Sequence, residues 1–236
     1  MKGWGFLINL YGINISACTD DNINLLKRLI SDERKAKMEK FLFKEDSIRC
    51  LLGEIIARYA ISKDLNIKNG DISFKTDSFN KPYLPIADKS VLYNISHSGQ
   101  WVVCIISDKP CGIDVELIKQ ADFGIAKRFF SQNEYESLMS QPEHYRTRYF
   151  FMLWTLKESY IKADGRGLSL PLDSFSINIG PDRICVSAKD TNNLSNCFFS
   201  QFEIDNNHIV SVCSKEDNIP DNICLVTVQD ILNTLR

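Results

Sequence analysis

The residues with the clearest chemical potential lie in two short stretches, one in a predicted strand and one in a predicted helix. In the first, Asp114 and Glu116 are two residues apart, and on a strand that spacing sends both carboxylates to one face. In the second, Glu158 and Lys162 are four residues apart, which puts a carboxylate and an amine one helical turn from each other. Together they have the composition of a divalent-metal site with a base and a cation beside it, as phosphoryl chemistry requires.

Carboxylate oxygens are hard ligands and favour magnesium. Trp154 lies four residues before Glu158 on the same helical stripe, which indicates a partly buried face and makes Glu158 a candidate third ligand or general base. Each signal also has an ordinary structural explanation. Asp114 and Glu116 would suit the solvated face of an edge strand, and Glu158 with Lys162 would suit a surface ion pair worth about 0.3–0.5 kcal/mol.

Basic residues outnumber acidic ones over residues 27–49. The basic residues are Lys27, Arg28, Arg34, Lys35, Lys37, Lys40, Lys44 and Arg49. A solvated helix explains most of these charges, and a polyanionic ligand would explain the one-sided excess. The net charge of the whole chain is -2, which argues against binding to nucleic acid or to an anionic membrane.

The stretch Asn94–Gly99 ends a predicted strand with small polar residues and a glycine. Such a turn can present a hydroxyl, the imidazole of His97 and backbone amides to an anion. A serine–histidine hydrolase is a weaker interpretation, because the chain has no G-x-S-x-G elbow and the acid partner is unidentified. A polar hairpin turn is the structural alternative.

The composition is ordinary for a globular protein, with 44% hydrophobic and 25% charged residues in a chain of 236. Eight cysteines form no C-x-x-C pair, which predicts buried free thiols in a reducing cytoplasm. The first residues of the chain hold too short an apolar run for a signal peptide or a membrane span. We therefore expect a cytoplasmic location and no membrane association.

Both halves of the chain show a strand, a capped helix, a longer helix and antiparallel strands in the same order. In the first half the strands are predicted over 5–10, 72–74, 91–95 and 101–107, with helices after Ser31 and over 46–65. In the second half they are predicted over 112–116, 175–179, 184–187, 198–204 and 208–213, with helices after the capping box Ser131–Glu134 and over 146–164. This order indicates a faint internal duplication, although two amphipathic helices would also look alike by chance.

The order of these motifs resembles the 4′-phosphopantetheinyl transferases, and more closely the monomeric Sfp type. The resemblance runs from about residue 5 to about residue 230. The motifs are Asn80-Lys81-Pro82, Asn94–Gly99, Gly112–Glu116, Phe150-x-x-x-Trp154-x-x-Lys157-Glu158-Ser159-x-x-Lys162 and Gly165-Arg166-Gly167-Leu168. One departure is Asn80, where the family often has glycine. Because asparagine tolerates left-handed backbone angles, we expect the turn to be kept.

The resemblance implies an α+β fold made by pseudo-twofold duplication. Its two similar halves, residues 1–108 and 109–236, would each be an antiparallel sheet packed with a long helix. Coenzyme A would bind in the cleft between them. Its phosphopantetheine would move to a serine of an apo carrier protein of nonribosomal peptide, polyketide or fatty-acid synthesis, with release of adenosine 3′,5′-bisphosphate. The protein would be a monomer.

The resemblance also implies roles in that cleft. Asp114, Glu116 and Glu158 would hold Mg²⁺, Glu158 would take the serine proton directly or through water, and Lys162 would stabilise charge on the bridging and leaving oxygens. The expected coenzyme A contacts are Arg34, Lys37 and His97 at the 3′-phosphate, Arg49, Lys81 and Ser96 elsewhere, Lys157 at a phosphate, and Lys162 at the bridging and leaving oxygens.

A segment from Gly165 to about residue 196, with exposed apolar residues such as Leu168 and Leu170, would receive the carrier protein. Two alternatives stay open. One is a different magnesium-dependent phosphotransferase that uses ATP. The other is a non-catalytic binding member of the fold, which should lack part of the metal set that this chain keeps.

Overall fold

Two long helices, each packed on an antiparallel sheet, dominate the architecture. This computed structural model describes residues 7–86, 89–188, 194 and 196–236. In chain order the elements are β1 Ile8–Asn14, α1 Asp20–Leu26, α2 Asp32–Met38, α3 Lys44–Leu65, β2 Lys75–Thr76, β3 Pro82–Ile86, β4 Lys89–Ser98, β5 Trp101–Ser107, β6 Cys111–Leu117, α4 Phe123–Phe129, α5 Gln132–Ser140, α6 Glu143–Asp164, β7 Phe175–Ile179, β8 Ile184–Ala188, β9 Phe198–Asp205, β10 His208–Ser214, β11 Cys224–Leu225 and α7 Val228–Leu235.

The sheet of the first half has the strand order β11-β1-β5-β4-β3-β2. Its pairs are antiparallel, apart from the parallel pair β1–β11. Helix α3 covers one face, and its apolar side chains Leu51, Leu52, Ile55 and Ile56 are fully buried there. Every residue of β5 is buried, because α3 packs on one side of the strand and β6 on the other.

The main sheet of the second half is β6-β10-β9, all antiparallel, with α6 across one face. A separate hairpin, β7–β8, packs beside it. A third apolar cluster joins the two main sheets: Leu10, Val103 and Ile105 from the first half pack with Ile113 and Val212 from the second. This shared core holds the two sheets together, and β4 of one half lies next to β6 of the other.

Local residues set the ends of the helices and the shape of one turn. Ser31 caps α2 through its side chain, and Ser131 with Glu134 forms the predicted capping box of α5. Helix α6 ends at Gly165, which has φ 90°. Asn80 has φ 62°, so the left-handed turn expected of a glycine is kept there.

The α+β prediction, with a long helix on an antiparallel sheet in each half, is confirmed. One predicted strand is wrong: residues 72–74 form an irregular connection, and the short strand β2 follows them. The strand predicted over 5–10 begins at Ile8 and continues to Asn14, and residues 1–6 lie outside the described part. The strand predicted over 91–95 continues to Ser98.

The C-terminal segment was not predicted, and it packs on the first half rather than the second. Strand β11 pairs with β1, and Val228, Ile231, Leu232 and Leu235 of α7 are buried in the core beneath α3. The two halves are therefore joined by this returning segment as well as by the contact between their two main sheets, which we call the seam.

All eight cysteines are free thiols. Four are buried, three are partly buried and Cys224 is exposed, so the prediction of buried thiols is wrong for Cys224. No helix in the described ranges is both long enough and apolar enough to cross a membrane.

Candidate active site

Side chains of β4 reach across the seam between the sheets and hold β6. Ser96 Oγ donates to Asp114 Oδ1 at 2.7 Å, and Ser98 Oγ donates to Glu116 Oε2 at 2.7 Å. Asn94 Oδ1 accepts from the backbone N–H of Ile113 at 3.0 Å. Because these partners keep a nearly constant separation of 18 or 19 residues, β4 and β6 run in the same direction.

Neither Asn94 nor Ser98 has an individual role predicted from the sequence. The sequence does carry a pattern that predicts their position. Small polar residues recur at every second place, as Asn94, Ser96 and Ser98, and residues two apart on a strand lie on one face. That pattern indicates one polar face of a strand. Interpreting the stretch as a turn ends the predicted strand three residues before the observed end of β4 at Ser98.

Helix α6 lies directly on β6 at Gly112. A Cβ atom built on Gly112 would lie 2.1 Å from the backbone oxygen of Ser159 and 2.5 Å from the backbone nitrogen of Ala163. Only a residue without Cβ allows this approach. The contact brings Glu158 and Lys162 of α6 to the edge of β6 that carries Asp114.

Asp114 is the centre of the cluster. Its side chain is 5% exposed, and Lys162 Nζ donates to its Oδ1 at 2.6 Å. Lys162 Nζ also donates to Ser96 Oγ at 3.0 Å and to the backbone oxygen of Ile113 at 3.2 Å. Asp114 Oδ2 is buried and has no hydrogen-bond partner among the described residues.

The two glutamates beside Asp114 are partly buried and electrostatically strained. Burial raises the pKa of Glu158, and the nearby charges of Asp114 and Glu116 raise it further against the opposing charge of Lys162. Burial also raises the pKa of Glu116, together with the Asp114 charge, while the Ser98 hydrogen bond opposes that rise. Within the described ranges, Lys162 is the one ammonium group bonded to these three carboxylates, through Asp114.

The described residues contain no three His, Cys, Asp or Glu side chains already grouped as a metal site. Three features of this corner nevertheless suit a divalent cation: the unpartnered Oδ2 of Asp114, the raised pKa of each glutamate, and oxygen as the common donor atom. A cation there would supply the missing partner and relieve the repulsion between carboxylates.

Lys157 does not face the cleft, and this contradicts its predicted phosphate contact. Its side chain is 0% exposed, and its Nζ donates to both carboxylate oxygens of Glu134 at 2.7 Å and to the backbone oxygen of Phe175 at 3.0 Å. All three protons of the ammonium are used. Consecutive helix residues point in different directions, so Glu158 faces β6 while Lys157 fastens α6 to α5 and β7.

Arg34 and Lys37 lie on α2, three residues apart, as predicted. Arg34 Nε donates to the buried carboxylate of Glu54 at 3.1 Å, while its side chain is 29% exposed. Glu54 also accepts from Ser31 and from Arg58. Arg34 is therefore anchored by a buried network while part of its side chain stays accessible, and Lys37 is exposed.

Arg49 and His97 approach each other where α3 meets the end of β4. Arg49 donates to the backbone oxygen of Gly99 at 2.8 Å and pairs with Asp46 at 3.0 Å. Local desolvation lowers the pKa of His97, and the charges of Arg49 and Lys162 lower it further, although the residue as a whole is exposed. The imidazole therefore lies in a positive environment, which suits an anion.

Lys81 is the second departure from the predicted contacts. Its Nζ donates to the backbone oxygens of Cys111, Lys162 and Ala163. These bonds use all three ammonium protons, which contradicts a coenzyme A contact through that group.

The expected carrier segment is described only in part, since residues 189–193 and 195 and the side chain of Leu168 lie outside the described part. Leu170 is 7% exposed, which contradicts its predicted role as an exposed apolar contact, because it packs into the core of the second half.

Two family models match consecutive parts of the chain. Residues 17–109 match the model described as 4′-phosphopantetheinyl transferase, N-terminal, and residues 110–213 match the 4′-phosphopantetheinyl transferase superfamily. The chain is 37% identical to 4′-phosphopantetheinyl transferase Sfp of Bacillus subtilis, over 95% of this chain and 100% of that protein. It is 34% identical to 4′-phosphopantetheinyl transferase psf-1 of Bacillus pumilus, over 97% of this chain and 99% of that protein.

Among solved structures, the holo-[acyl-carrier-protein] synthase of Thermotoga maritima covers 44% of this chain and 61% of its own, at 19% identity and a TM-score of 0.40.

Proposed function

This chain belongs to the 4′-phosphopantetheinyl transferase family, and we propose that it performs the transfer for which the family is named. It moves the 4′-phosphopantetheine arm of coenzyme A to a serine of an apo carrier protein and releases adenosine 3′,5′-bisphosphate. The observation that carries this function is the near full-length match to the Bacillus subtilis transferase Sfp. The cluster of Asp114, Glu116, Glu158 and Lys162 gives that function a chemical centre.

Magnesium is the proposed cofactor, and Asp114, Glu116 and Glu158 would hold it. When bound, Mg²⁺ neutralises the pyrophosphate charge and polarises the phosphorus under attack. The buried Oδ2 of Asp114, which lacks a hydrogen-bond partner in the described part of the chain, and the raised pKa values of both glutamates support this assignment.

Glu158 is the proposed general base. Its raised pKa moves the carboxylate toward the pH at which a base works best. It takes the proton of the carrier serine, directly or through one water, as the serine oxygen attacks the phosphorus. Asp114 orients Lys162 through the 2.6 Å ion pair. The ammonium of Lys162 then stabilises the charge that develops on the bridging and leaving oxygens.

Coenzyme A is the proposed donor, and Arg34, Lys37 and His97 are proposed to bind its 3′-phosphate. The accessible part of Arg34 and the positive surroundings of His97 support this. Arg49 and Ser96 are proposed to contact other parts of the ligand. A charge-assisted contact is worth about 1.5–3 kcal/mol, so several of them are enough to orient a flexible nucleotide.

We propose that the protein is a monomer, that residues 1–108 and 109–236 are its two halves, and that its partners include carriers of nonribosomal peptide, polyketide or fatty-acid synthesis. Size-exclusion chromatography with light scattering tests the first proposal, and a panel of apo carriers tests the last.

The test of function is the intact mass of an apo carrier after incubation with the protein, coenzyme A and Mg²⁺. We expect the carrier to gain one phosphopantetheine, and a carrier with its acceptor serine changed to alanine to gain nothing. Replacing coenzyme A with ATP should yield no modified carrier. A carrier that gains mass from ATP, or none that reacts with coenzyme A, would refute the proposed reaction.

A further inference from the structure

The turn that carries Lys81 is held rigidly in front of the end of α6. Asp77 Oδ1 accepts from the backbone N–H groups of Phe79 at 2.8 Å and Lys81 at 2.9 Å. The backbone N–H of Asp77 donates to the Lys81 oxygen at 3.0 Å, and Asn80 adopts φ 62°. The base of the Lys81 side chain therefore has a fixed position in the first half of the molecule.

From this turn the Lys81 side chain crosses to the second half. Its Nζ lies 2.6 Å from the backbone oxygen of Lys162, 3.1 Å from that of Ala163 and 3.1 Å from that of Cys111. The first two belong to the last turn of α6, where helix carbonyls lack partners within the helix and carry partial negative charge. The third is the first residue of β6, so one ammonium group joins the end of α6 to the start of β6.

We propose that Lys81 is a positioning residue for the transfer reaction: from the first half, it locks the C-terminal turn of α6 against β6 and so sets Lys162 opposite Asp114. The inference rests on the proposed function and differs from the coenzyme A contact that the family resemblance implies for this lysine.

The geometry explains why this lock acts on the reacting groups. Lys162 is held at both ends, since its backbone oxygen accepts from Lys81 at 2.6 Å and its Nζ donates to Asp114 at 2.6 Å. Gly112 brings β6 into direct contact with the α6 backbone between Ser159 and Ala163, at the turn that carries Lys162. A shift of about 1 Å in such a group can lower turnover about 100-fold. Burial lowers the pKa of Lys81. The three carbonyl oxygens offset part of that cost, because each accepts one proton of the ammonium group.

The first variant is Lys81→Met, which keeps the length and apolar character of the stem and removes the three donors. We expect kcat for carrier modification to fall about 10- to 100-fold. The Kd for coenzyme A, measured by calorimetry, should change by less than about threefold, because a positioning residue acts on the transition state rather than on ground-state binding. The matched control is Lys75→Met on exposed β2, which should leave both values unchanged.

A double-mutant cycle tests whether Lys81 acts through Lys162. In a Lys162→Ala background, adding Lys81→Met should lower kcat by less than about twofold further, because the group that Lys81 positions is already gone. If Lys81→Met does not fold, Lys81→Arg takes its place. The planar guanidinium keeps the charge but presents its donors in a fork that does not converge on three carbonyls, so the same loss of kcat is expected.

Two results would overturn the inference. One is a rise of more than about tenfold in the Kd for coenzyme A with kcat unchanged, which would make Lys81 a ligand-binding residue. The other is a double variant whose fold-loss of kcat equals the product of the losses in Lys81→Met and Lys162→Ala. A wild-type protein that modifies no carrier would instead refute the proposed function, so the two failures are distinguishable.

Discussion

At the scale of single residues, Asp114 has two carboxylate oxygens in different situations. Oδ1 accepts from Ser96 and from Lys162, while Oδ2 is buried with no partner in the described part of the chain. A half-satisfied buried carboxylate is costly for folding alone. Its proposed use is to bind a cation together with Glu116 and Glu158, whose raised pKa values reflect the same crowding.

The substitution Glu158→Gln should separate activity from stability. It removes the proposed base and one proposed ligand, so kcat should fall by at least ~100-fold. It also removes a crowded charge, so the midpoint of thermal unfolding in EDTA should rise by a few degrees, at about 2–4 °C per kcal/mol for a chain of this size. Calorimetry and the carrier assay measure the two effects. Glu39→Gln, at an exposed site, should change neither.

The pH dependence of stability follows from the same glutamates. Their pKa values are raised in the folded protein, so folding favours their protonated forms. Stability of the metal-free protein should therefore fall as pH rises from the ordinary carboxyl pKa near 4.3 through the raised values. The free energy of unfolding, measured in EDTA over that pH range, should decline less for Glu158→Gln than for the wild type. An identical decline in both proteins would exclude Glu158 as the source.

At the scale of elements, the sequence predicted the long helices, their caps and most strands, because apolar periodicity and capping residues are local signals. The polar face of β4 was missed, since Asn94, Ser96 and Ser98 bond across the seam to a strand about 18 residues away. Lys157 and Lys162 look alike in sequence on the same helix. Only the packing of α6 shows that Lys157 is buried in an ion pair with Glu134, while Lys162 is partly exposed and pairs with Asp114.

Gly112→Ala tests the contact between α6 and β6. A Cβ at this position would meet backbone atoms of Ser159 and Ala163, which have no freedom to move away. We expect destabilisation of about 1–3 kcal/mol from overpacking and a large loss of kcat, because α6 carries Glu158 and Lys162. Urea unfolding measures the first effect. Gly70→Ala is the control, because its added Cβ would have no neighbour within 4 Å.

Lys157→Met tests the structural role of the buried ion pair. The change leaves the carboxylate of Glu134 buried without its cation, so the free energy of unfolding should drop by about 3–5 kcal/mol. The Kd for coenzyme A of the folded variant should stay unchanged. Lys68→Met, at an exposed site, should have no effect on either. A selective loss of coenzyme A affinity with full stability would restore Lys157 as a phosphate contact.

At the scale of the whole molecule, two halves are joined by contacts that few local patterns predict. Their sheets share an apolar core, and α7 returns to the core of the first half. Asp205, at the end of β9, accepts from Trp101 Nε1 of β5 at 2.7 Å and interacts with His208 Nδ1 at 2.9 Å. The proposed ligand sites lie along this seam, so its integrity controls both folding and chemistry.

Asp205→Asn tests the polar link across the seam. Burial alone would raise the pKa of Asp205, but hydrogen bonds from Trp101 and His208 lower it to about 2. The ionised carboxylate of Asp205 should therefore stabilise the folded protein at pH values above the unfolded carboxyl pKa near 3.9. That contribution should be lost as pH falls through about 2. The unfolding midpoint of the variant should lie below that of the wild type at pH 7, and the two should converge between about pH 4 and 2. A gap independent of pH would assign the effect to packing.

The cation at Asp114, Glu116 and Glu158 is tested most directly by titration with Mn²⁺, a paramagnetic divalent cation that also takes oxygen ligands. Electron paramagnetic resonance of free Mn²⁺, recorded with the protein and saturating coenzyme A, measures the amount bound. We predict one bound Mn²⁺ per wild-type chain, displaced by Mg²⁺, and affinity at least ~10-fold weaker in Asp114→Asn and Glu158→Gln. Equal Mn²⁺ affinity in the wild type and both variants, with all three proteins folded, would contradict the proposed metal site.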